Sequence, residues 1–437
     1  MASCEMKLMI LVIVVVLKLA QSELLIERPE GLGNIEYEMG VINFPRRHKR
    51  SLEDISLRLT AYGRVMDLNL KLLSNTLYSE DTPVYKIFKN GYQQPGTMAQ
   101  DIEQSAAYQR TIYEDPDHFA SLIVDTFPDG TSIIRSANIG SVNLTIFPAS
   151  VQYLQQSPSM YINGYAQPNQ YIYYRTNNLM TVYNDVVLPW NLPRPAQVQN
   201  NRVVVPDTLY IEVLVIVDYP LLEAKGMDNI INYLLAFWNQ VDLMFRRLDR
   251  PLYKINIAGI VLPLDNEVLE YFYKDPIEGW VYRTLKYRDY LSFSAKWLYK
   301  EQQNWPFDSY DIAVTLTSRE DPIKWTPQGY KSSAGISYLG QVCQVNHYSR
   351  SIEKIAVIND NGFFSGVPVA VHEIGHLIGA QHDNRYPCSD ADGYLMSSVL
   401  RSTSNRFKWS PCSLNDFKSF LSSDPRCLYN RPKNMKL

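Results

Sequence analysis

Three of the six histidines in this chain, His372, His376 and His382, stand within the run HEIGHLIGAQHD, and Glu373 lies between the first two. At about 3.6 residues per turn, positions four apart stack on one helix face, so His372 and His376 can hold a single metal ion. Glu373 then projects beside the pair, where its carboxylate can take a proton from water that a metal has acidified to a pKa of roughly 7. Gly379 comes where the helical stretch should end, and glycine can adopt the left-handed backbone that stops a helix and turns the chain. His382 can then swing back as a third ligand. Three protein ligands leave a fourth position open, which is the arrangement of a catalytic zinc site. The chemistry this pattern points to is zinc-assisted hydrolysis with Glu373 as general base.

The elements that must hold these groups follow from hydrophobic patterning. LYIEVLVIVDY, Leu209 to Tyr219, is a nearly continuous apolar run, as expected of a strand covered on both sheet faces. A helical pattern follows from Met227 to Leu248, a strand from Tyr253 to Leu262, a helix from Arg283 to Gln303 and a strand from Tyr310 to Thr317. Short strands at Ala334–Leu339 and Lys354–Ile358 lead to the zinc helix near Val367, and a last helix covers Ser413–Leu421. Strands alternating with helices predict an α/β fold on a mostly parallel sheet over 205–437. Upstream, residues 51–150 show alternating segments broken by turn signals such as Pro128-Asp129-Gly130, the pattern of a β-rich domain. Residues 151–204, with seven tyrosines between Tyr153 and Tyr183 among Gln, Asn, Ser and Pro, read as a linker or extended strap whose tyrosines pack on a neighbouring surface.

Composition sets the compartment and narrows the partners. The chain has 437 residues, 46% hydrophobic and 20% charged, with a formal net charge of -3, which gives no reason to expect nucleic acid or an anionic membrane as partner. Residues 1–22 carry Lys7, the apolar run Leu8–Leu17 and the small-residue pattern Ala20-Gln21-Ser22, and read as a secretory signal peptide; ten apolar residues fall short of the roughly 20 that span a bilayer. The expectation is a secreted, extracellular product with no membrane attachment once the signal is removed. Residues 23–50 form a short pro-segment ending in Arg46-Arg47-His48-Lys49-Arg50, the form that proprotein convertases cut. After Cys4, four cysteines remain, Cys343, Cys388, Cys412 and Cys427, an even number that fits two disulfides in any of three pairings. Asn143-Leu144-Thr145 is a glycosylation sequon that the secretory route makes usable.

Taken together, these residues resemble the reprolysin (adamalysin) branch of the metzincin metalloproteases, known from snake venoms, membrane-anchored sheddases and arthropod saliva. Asp383 directly follows the third histidine, as is usual in that branch, and Tyr394-Leu395-Met396-Ser397 is similar to the turn whose methionine floors the metal site. The tail from Phe407 to Asn430 also follows the family's closing helix and segment. The resemblance implies a metzincin fold with a mixed, mostly parallel five-stranded sheet behind a β-rich pro-domain, and disulfides Cys343–Cys427 and Cys388–Cys412. It implies a structural calcium site from Glu212, Asp311, Cys427 and Asn430, all oxygen donors of the kind calcium requires. Substrate would lie along Gly335-Ile336-Ser337 as an added strand, with Val399 and Leu400 lining a pocket for the side chain after the cut.

The activity so implied is zinc-dependent endopeptidase action on extracellular proteins, fibrinogen or matrix proteins among them, by a monomer ending with its catalytic domain. Leu57 to Ile87 is similar to the family's pro-domain, but two features depart from the pattern. No cysteine stands between Cys4 and Cys343 to cap the zinc, and the basic site lies far upstream of the protease junction. Latency is therefore expected to depend on the pro-region covering the cleft. The competing reading is a secreted binding or inhibitory protein whose protease fold is kept latent by that region; loss of Glu373 or of a histidine would have favoured it, and all are present.

Overall fold

The structure is a computed structural model and describes residues 36–44, 54–73, 77–89, 91–92, 96–98, 108–149, 161–162, 165–166, 169–175, 186–187, 204–274, 287–319, 324–326, 329–331 and 334–435. The signal peptide at 1–22 and the basic cluster Arg46–Arg50 lie outside the described residues.

The N-terminal strands are β1 (Glu36–Val41), β2 (Ile55–Ala61), β3 (Arg64–Leu72), β4 (Pro83–Phe88), β5 (Gln109–Asp115), β6 (Ala120–Thr126), β7 (Ser132–Ile139), β8 (Leu144–Pro148) and β9 (Gln170–Arg175). All but β4 join one antiparallel sheet in the order β1-β9-β8-β7-β6-β5-β3-β2. Strand β2 shows why: ISLRLTA alternates buried and exposed along its whole length, placing Ile55, Leu57, Leu59 and Ala61 in a core with Leu68, Leu122 and Ile134.

Two strands of this sheet lie in stretches to which the sequence analysis assigns no strand. Strand β9 lies inside the stretch 151–204 that reads as a linker, and β1 lies inside the pro-segment 23–50; they pair with each other from Glu36↔Arg175 to Val41↔Gln170. QYIYYR carries no hydrophobic alternation strong enough to announce a strand, yet Tyr171 and Tyr173 are buried, and the Tyr171 hydroxyl accepts the Ile134 N–H at 3.0 Å. A tyrosine can serve a core in this way when its hydroxyl finds a partner.

The second sheet contains β10 (Val186–Val187), β11 (Thr208–Val217), β12 (Leu252–Pro263), β13 (Ile312–Thr317), β14 (Gly335–Tyr338) and β15 (Ile355–Asn359), in the order β10-β14-β15-β13-β11-β12-β4. The central five, β14 to β12, are parallel except for β14, which runs antiparallel to β15. This is the mixed five-stranded sheet that the resemblance implies. The N-terminal region extends it at both ends: β4 pairs parallel with β12, and β10 pairs parallel with β14.

Among the described residues, five α-helices cover the sheet: α1 (Tyr219–Lys225), α2 (Met227–Phe245), α3 (Tyr287–Lys300), α4 (Val367–Leu377) and α5 (Pro411–Phe420). The sequence dictates several of their starts. Asp218 caps α1 by accepting the Leu221 N–H at 2.9 Å, and Ser410 caps α5 by accepting the Ser413 N–H at 3.0 Å; each is followed by proline within two residues. Strand β11 sorts its side chains by parity. Leu209, Ile211, Val213 and Val215 face the core shared with α2 and α4, while Leu214 and Ile216 face a second core with Trp297 of α3 and Trp305.

Helix α2 is buried at every residue from Ile230 to Phe245, although it carries Asn232, Asn239, Gln240 and Asp242. A helix buried all round lies between two layers, and here the outer layer is the N-terminal sheet. Asn239 donates to Ser121 Oγ at 3.0 Å, Gln240 Nε2 donates to Phe119 O at 2.6 Å and Asn138 Oδ1 at 2.8 Å, and Arg246, just past the helix end, forms a forked pair with Glu114 at 3.0 and 2.5 Å. Leu77, Val84, Ile112, Phe119 and Ile123 belong to the same core as the zinc-helix residues Val371 and Ile374. The β-rich region and the α/β region thus share one interior.

Candidate metal centre and active site

Helix α4 carries the first two histidines because Val369, Ala370, Val371, Ile374 and Leu377 anchor it against α2 and the sheet. It stops where the sequence requires. Gly379 has φ +99°, its N–H reaches the His376 carbonyl at 2.9 Å, and the Ala380 N–H reaches the Gly375 carbonyl at 2.9 Å. A Cβ on Gly379 would also stand 2.7 Å from Cβ of Phe420 in α5, so both backbone angle and space demand glycine.

The turn brings His382 back. Its Nε2 lies 3.1 Å from Nε2 of His372 and 3.3 Å from Nε2 of His376. The opposite nitrogens are committed elsewhere: Nδ1 of His372 donates to the Leu395 carbonyl and Nδ1 of His376 to the Ala380 carbonyl, each at 2.7 Å. Those bonds fix the neutral tautomer and aim the Nε2 lone pairs at a common point. Three such lone pairs repel unless a cation sits between them. Nitrogens roughly 2.0–2.1 Å from a tetrahedral ion stand about 3.3–3.4 Å apart, so the observed spacing fits zinc. The three ligand atoms are one of two potential metal-ligand clusters among the described residues. The other, Asp383 with Cys388 and Cys412, has its sulfurs bonded to each other.

Leu395, which holds His372, precedes Met396, and Met396 is fully buried beneath α4. A Cβ on Gly375 would come 2.7 Å from Met396 Sδ, so the glycine of HEIGH lets the helix settle on the methionine. Asp383 is buried too. Its N–H bonds the Met396 carbonyl at 2.8 Å, its carboxylate accepts from the Ser410 hydroxyl, and burial raises its pKa against that hydrogen bond. Asp383 therefore pins the third histidine's loop to both the methionine turn and the start of α5. The disulfides Cys343–Cys427 and Cys388–Cys412 are the pairings that the resemblance implies.

Glu373 is fully buried next to β14. Strand parity places Gly335 and Ser337 toward α4, whereas the Ile336 side chain points into the second core. Any contact of Ile336 with a bound peptide is thus through its backbone. Val399 and Leu400 follow the methionine turn; both are half-buried, and Leu400 packs against the main core.

The groups named for calcium also come together. Glu212 and Asp311 exchange backbone contacts, with the Glu212 N–H on Asp311 Oδ2 at 2.9 Å and the Asp311 N–H on the Glu212 carbonyl at 2.8 Å; Asn430 Nδ2 donates to Glu212 Oε2 at 2.7 Å. Cys427 is tied to Cys343, whose N–H bonds the Asp311 carbonyl at 3.2 Å. Sequence reasoning missed Lys354 here. Its buried ammonium donates to the Phe307 and Tyr310 carbonyls and is lowered to about 8 by burial, with the negative charges of Asp311, Asp308 and Glu212 opposing the shift. Burial in turn raises both Asp311 and Glu212.

Residues 299–432 match the Reprolysin (M12B) family of zinc metalloproteases. Over that stretch the chain is similar to the reprolysin zinc metalloproteases. The matched reprolysin segment contains β13 to β15, α4, α5, the histidine triad and all four paired cysteines. Relatives of this chain include a Bombyx mori protein named "A disintegrin and metalloproteinase with thrombospondin motifs like", 27% identical over 436 residues, which cover 86% of this chain and 61% of that protein. Venom metalloproteinase 3 of Eulophus pennicornis is 28% identical over 318 residues, 71% of this chain and 70% of the relative. A human relative, "A disintegrin and metalloproteinase with thrombospondin motifs 14", is 28% identical over 232 residues, 52% of this chain and only 17% of its own length.

Proposed function

We propose that this protein is a reprolysin-type secreted zinc endopeptidase that hydrolyses peptide bonds in extracellular proteins, with fibrinogen or matrix proteins as candidate substrates. The observation that carries the reading is the convergence of the three Nε2 atoms beside a buried Glu373. His372, His376 and His382 would hold the ion, which when bound supplies a Lewis acid that polarises a carbonyl and acidifies water. Glu373 accepts the proton of the attacking water and passes it to the leaving amine, as a general base that becomes a general acid. The substrate's backbone binds as a strand along β14, and Val399 and Leu400 contact the side chain after the cut. Secretion accords with the signal-like start; among the described residues no helix is long and apolar enough to cross a membrane. Digestion of a peptide library should disappear with a chelator and with Glu373→Ala, and cleavage surviving both would sink the mechanism.

Latency is part of the same proposal. Val186–Val187 already pair with Ser337–Tyr338, so the chain itself takes the edge that a substrate strand would use. Cutting after Arg50 would leave that strap attached. A specific cleavage sequence inserted within 191–200 should therefore raise peptidase activity at least tenfold when cut; equal activity before and after would remove the strap as the cause.

Calcium at Glu212, Asp311, Asn430 and the Cys427 carbonyl, and a glycan on Asn143, complete the proposal. Asn143 sits in a left-handed turn between β7 and β8. A rise of several degrees in melting temperature on adding calcium to chelated protein is expected; no rise would leave Lys354 as the neutralising charge.

A further inference from the structure

We propose that Ser337 is a positioning residue for Glu373, an inference that rests on the peptidase reading above. Ser337 is fully buried on β14, and its hydroxyl lies 2.6 Å from Glu373 Oε2. The same hydroxyl is 3.1 Å from the Glu373 backbone carbonyl. A hydroxyl has one proton to give, and the shorter contact to the carboxylate takes it, as a hydrogen bond to a charged acceptor is about twice as strong as one between neutral groups.

Glutamate's terminal torsion is broad and nearly two-fold, so a carboxylate with no directional partner samples many orientations. A base that must reach one proton in one place needs a fixed plane. Strand β14 supplies this twice. Gly335, two residues before Ser337 and on the same face, lets the carboxylate press against the strand: a Cβ there would stand 2.7 Å from Glu373 Oε1 and 2.9 Å from its Cγ. Ser337 then ties Oε2, which sets the direction of Oε1. The strand that would bind substrate through its backbone thereby also holds the catalytic carboxylate through its inward side chains. Because β10 pairs with Ser337 and Tyr338, strap, substrate strand and base meet at one residue.

The test uses the full chain carrying the cleavable insert, zinc-loaded and cut. Ser337→Ala should lower kcat at least tenfold with KM unchanged within twofold and zinc content unchanged, and Ser337→Thr, which restores the hydroxyl, should return kcat to within threefold. A merely structural role would not separate kcat from KM per folded molecule, nor be rescued in this way. Crystal structures give a readout independent of turnover: in Ser337→Ala the Glu373 carboxylate should be rotated or split between orientations. Wild-type kcat in Ser337→Ala, or an unmoved Glu373 carboxylate, would overturn the proposal. If the unmutated protein cleaves nothing, the peptidase reading fails, while the crystallographic comparison still decides the role of Ser337.

Discussion

At the scale of single residues, the site is held by groups that leave no room for alternatives. Gly335, Gly375 and Gly379 are each a place where a neighbour occupies the position of a Cβ: Glu373, Met396 and Phe420 respectively. Gly379→Ala combines that clash with a φ of +99°, and should cost roughly 1–3 kcal/mol in denaturant unfolding. A variant as stable as the parent would contradict the assigned turn. Gly335→Ala should lower stability, because its Cβ would also stand 2.7 Å from Val369 Cγ1, and should lower turnover per folded molecule by displacing Glu373; full activity per folded molecule would detach Glu373 from β14. The chemistry of HEIGHLIGAQHD was legible in the sequence because helical periodicity alone puts His372 and His376 together. Ser337 was legible only as a strand residue. Its hydroxyl contact depends on how β14 packs on α4, which no local pattern encodes.

At the scale of elements, α2 decides how the two sheets are joined. The sequence predicts this helix well; in the structure its Asn239 and Gln240 bond the N-terminal sheet, and its buried Asp242 accepts from β12 of the catalytic sheet. Burial pushes the Asp242 carboxyl up to about 6, against the nearby Arg246 guanidinium and the Ile255 N–H that it accepts at 2.7 Å. The folded state therefore binds more protons than the unfolded state between about pH 4 and pH 6, so this group's contribution to stability falls as pH rises through that window. Asp242→Asn keeps an oxygen for Ile255 and removes the titration. Its stability relative to wild type should increase from pH 4 to pH 6 by up to about 3 kcal/mol. Parallel curves of unfolding free energy against pH would contradict the shift. The pairing of β4, which lies in the stretch read as β-rich, and the strand β9 depend in a related way on partners far away in the chain: PVYKIF on β12 and QYIYYR on β1.

At the scale of the whole molecule, the N-terminal region is part of the structure that holds the site. It supplies β4 to the catalytic sheet, places Ile112, Phe119 and Ile123 in the main core, and stacks Phe119 on Phe407 at 4.1 Å between ring centres. Arg406 reaches across to the Gly140 and Ser141 carbonyls at 2.7 and 2.9 Å. Deleting residues 36–175 should therefore expose apolar surface and leave an aggregating or molten product, read by near-ultraviolet circular dichroism and dye binding. A well-folded 203–437 fragment with a sharp melting transition would show the region to be dispensable. The central claim, that three histidines and Glu373 make a zinc hydrolase, is tested most directly by titrating zinc into metal-free, strap-cut protein. Peptide cleavage should rise linearly and saturate at one equivalent, while Glu373→Ala binds the same single equivalent and stays at least a hundredfold slower. Cleavage independent of zinc, or undiminished in Glu373→Ala at full occupancy, would contradict it.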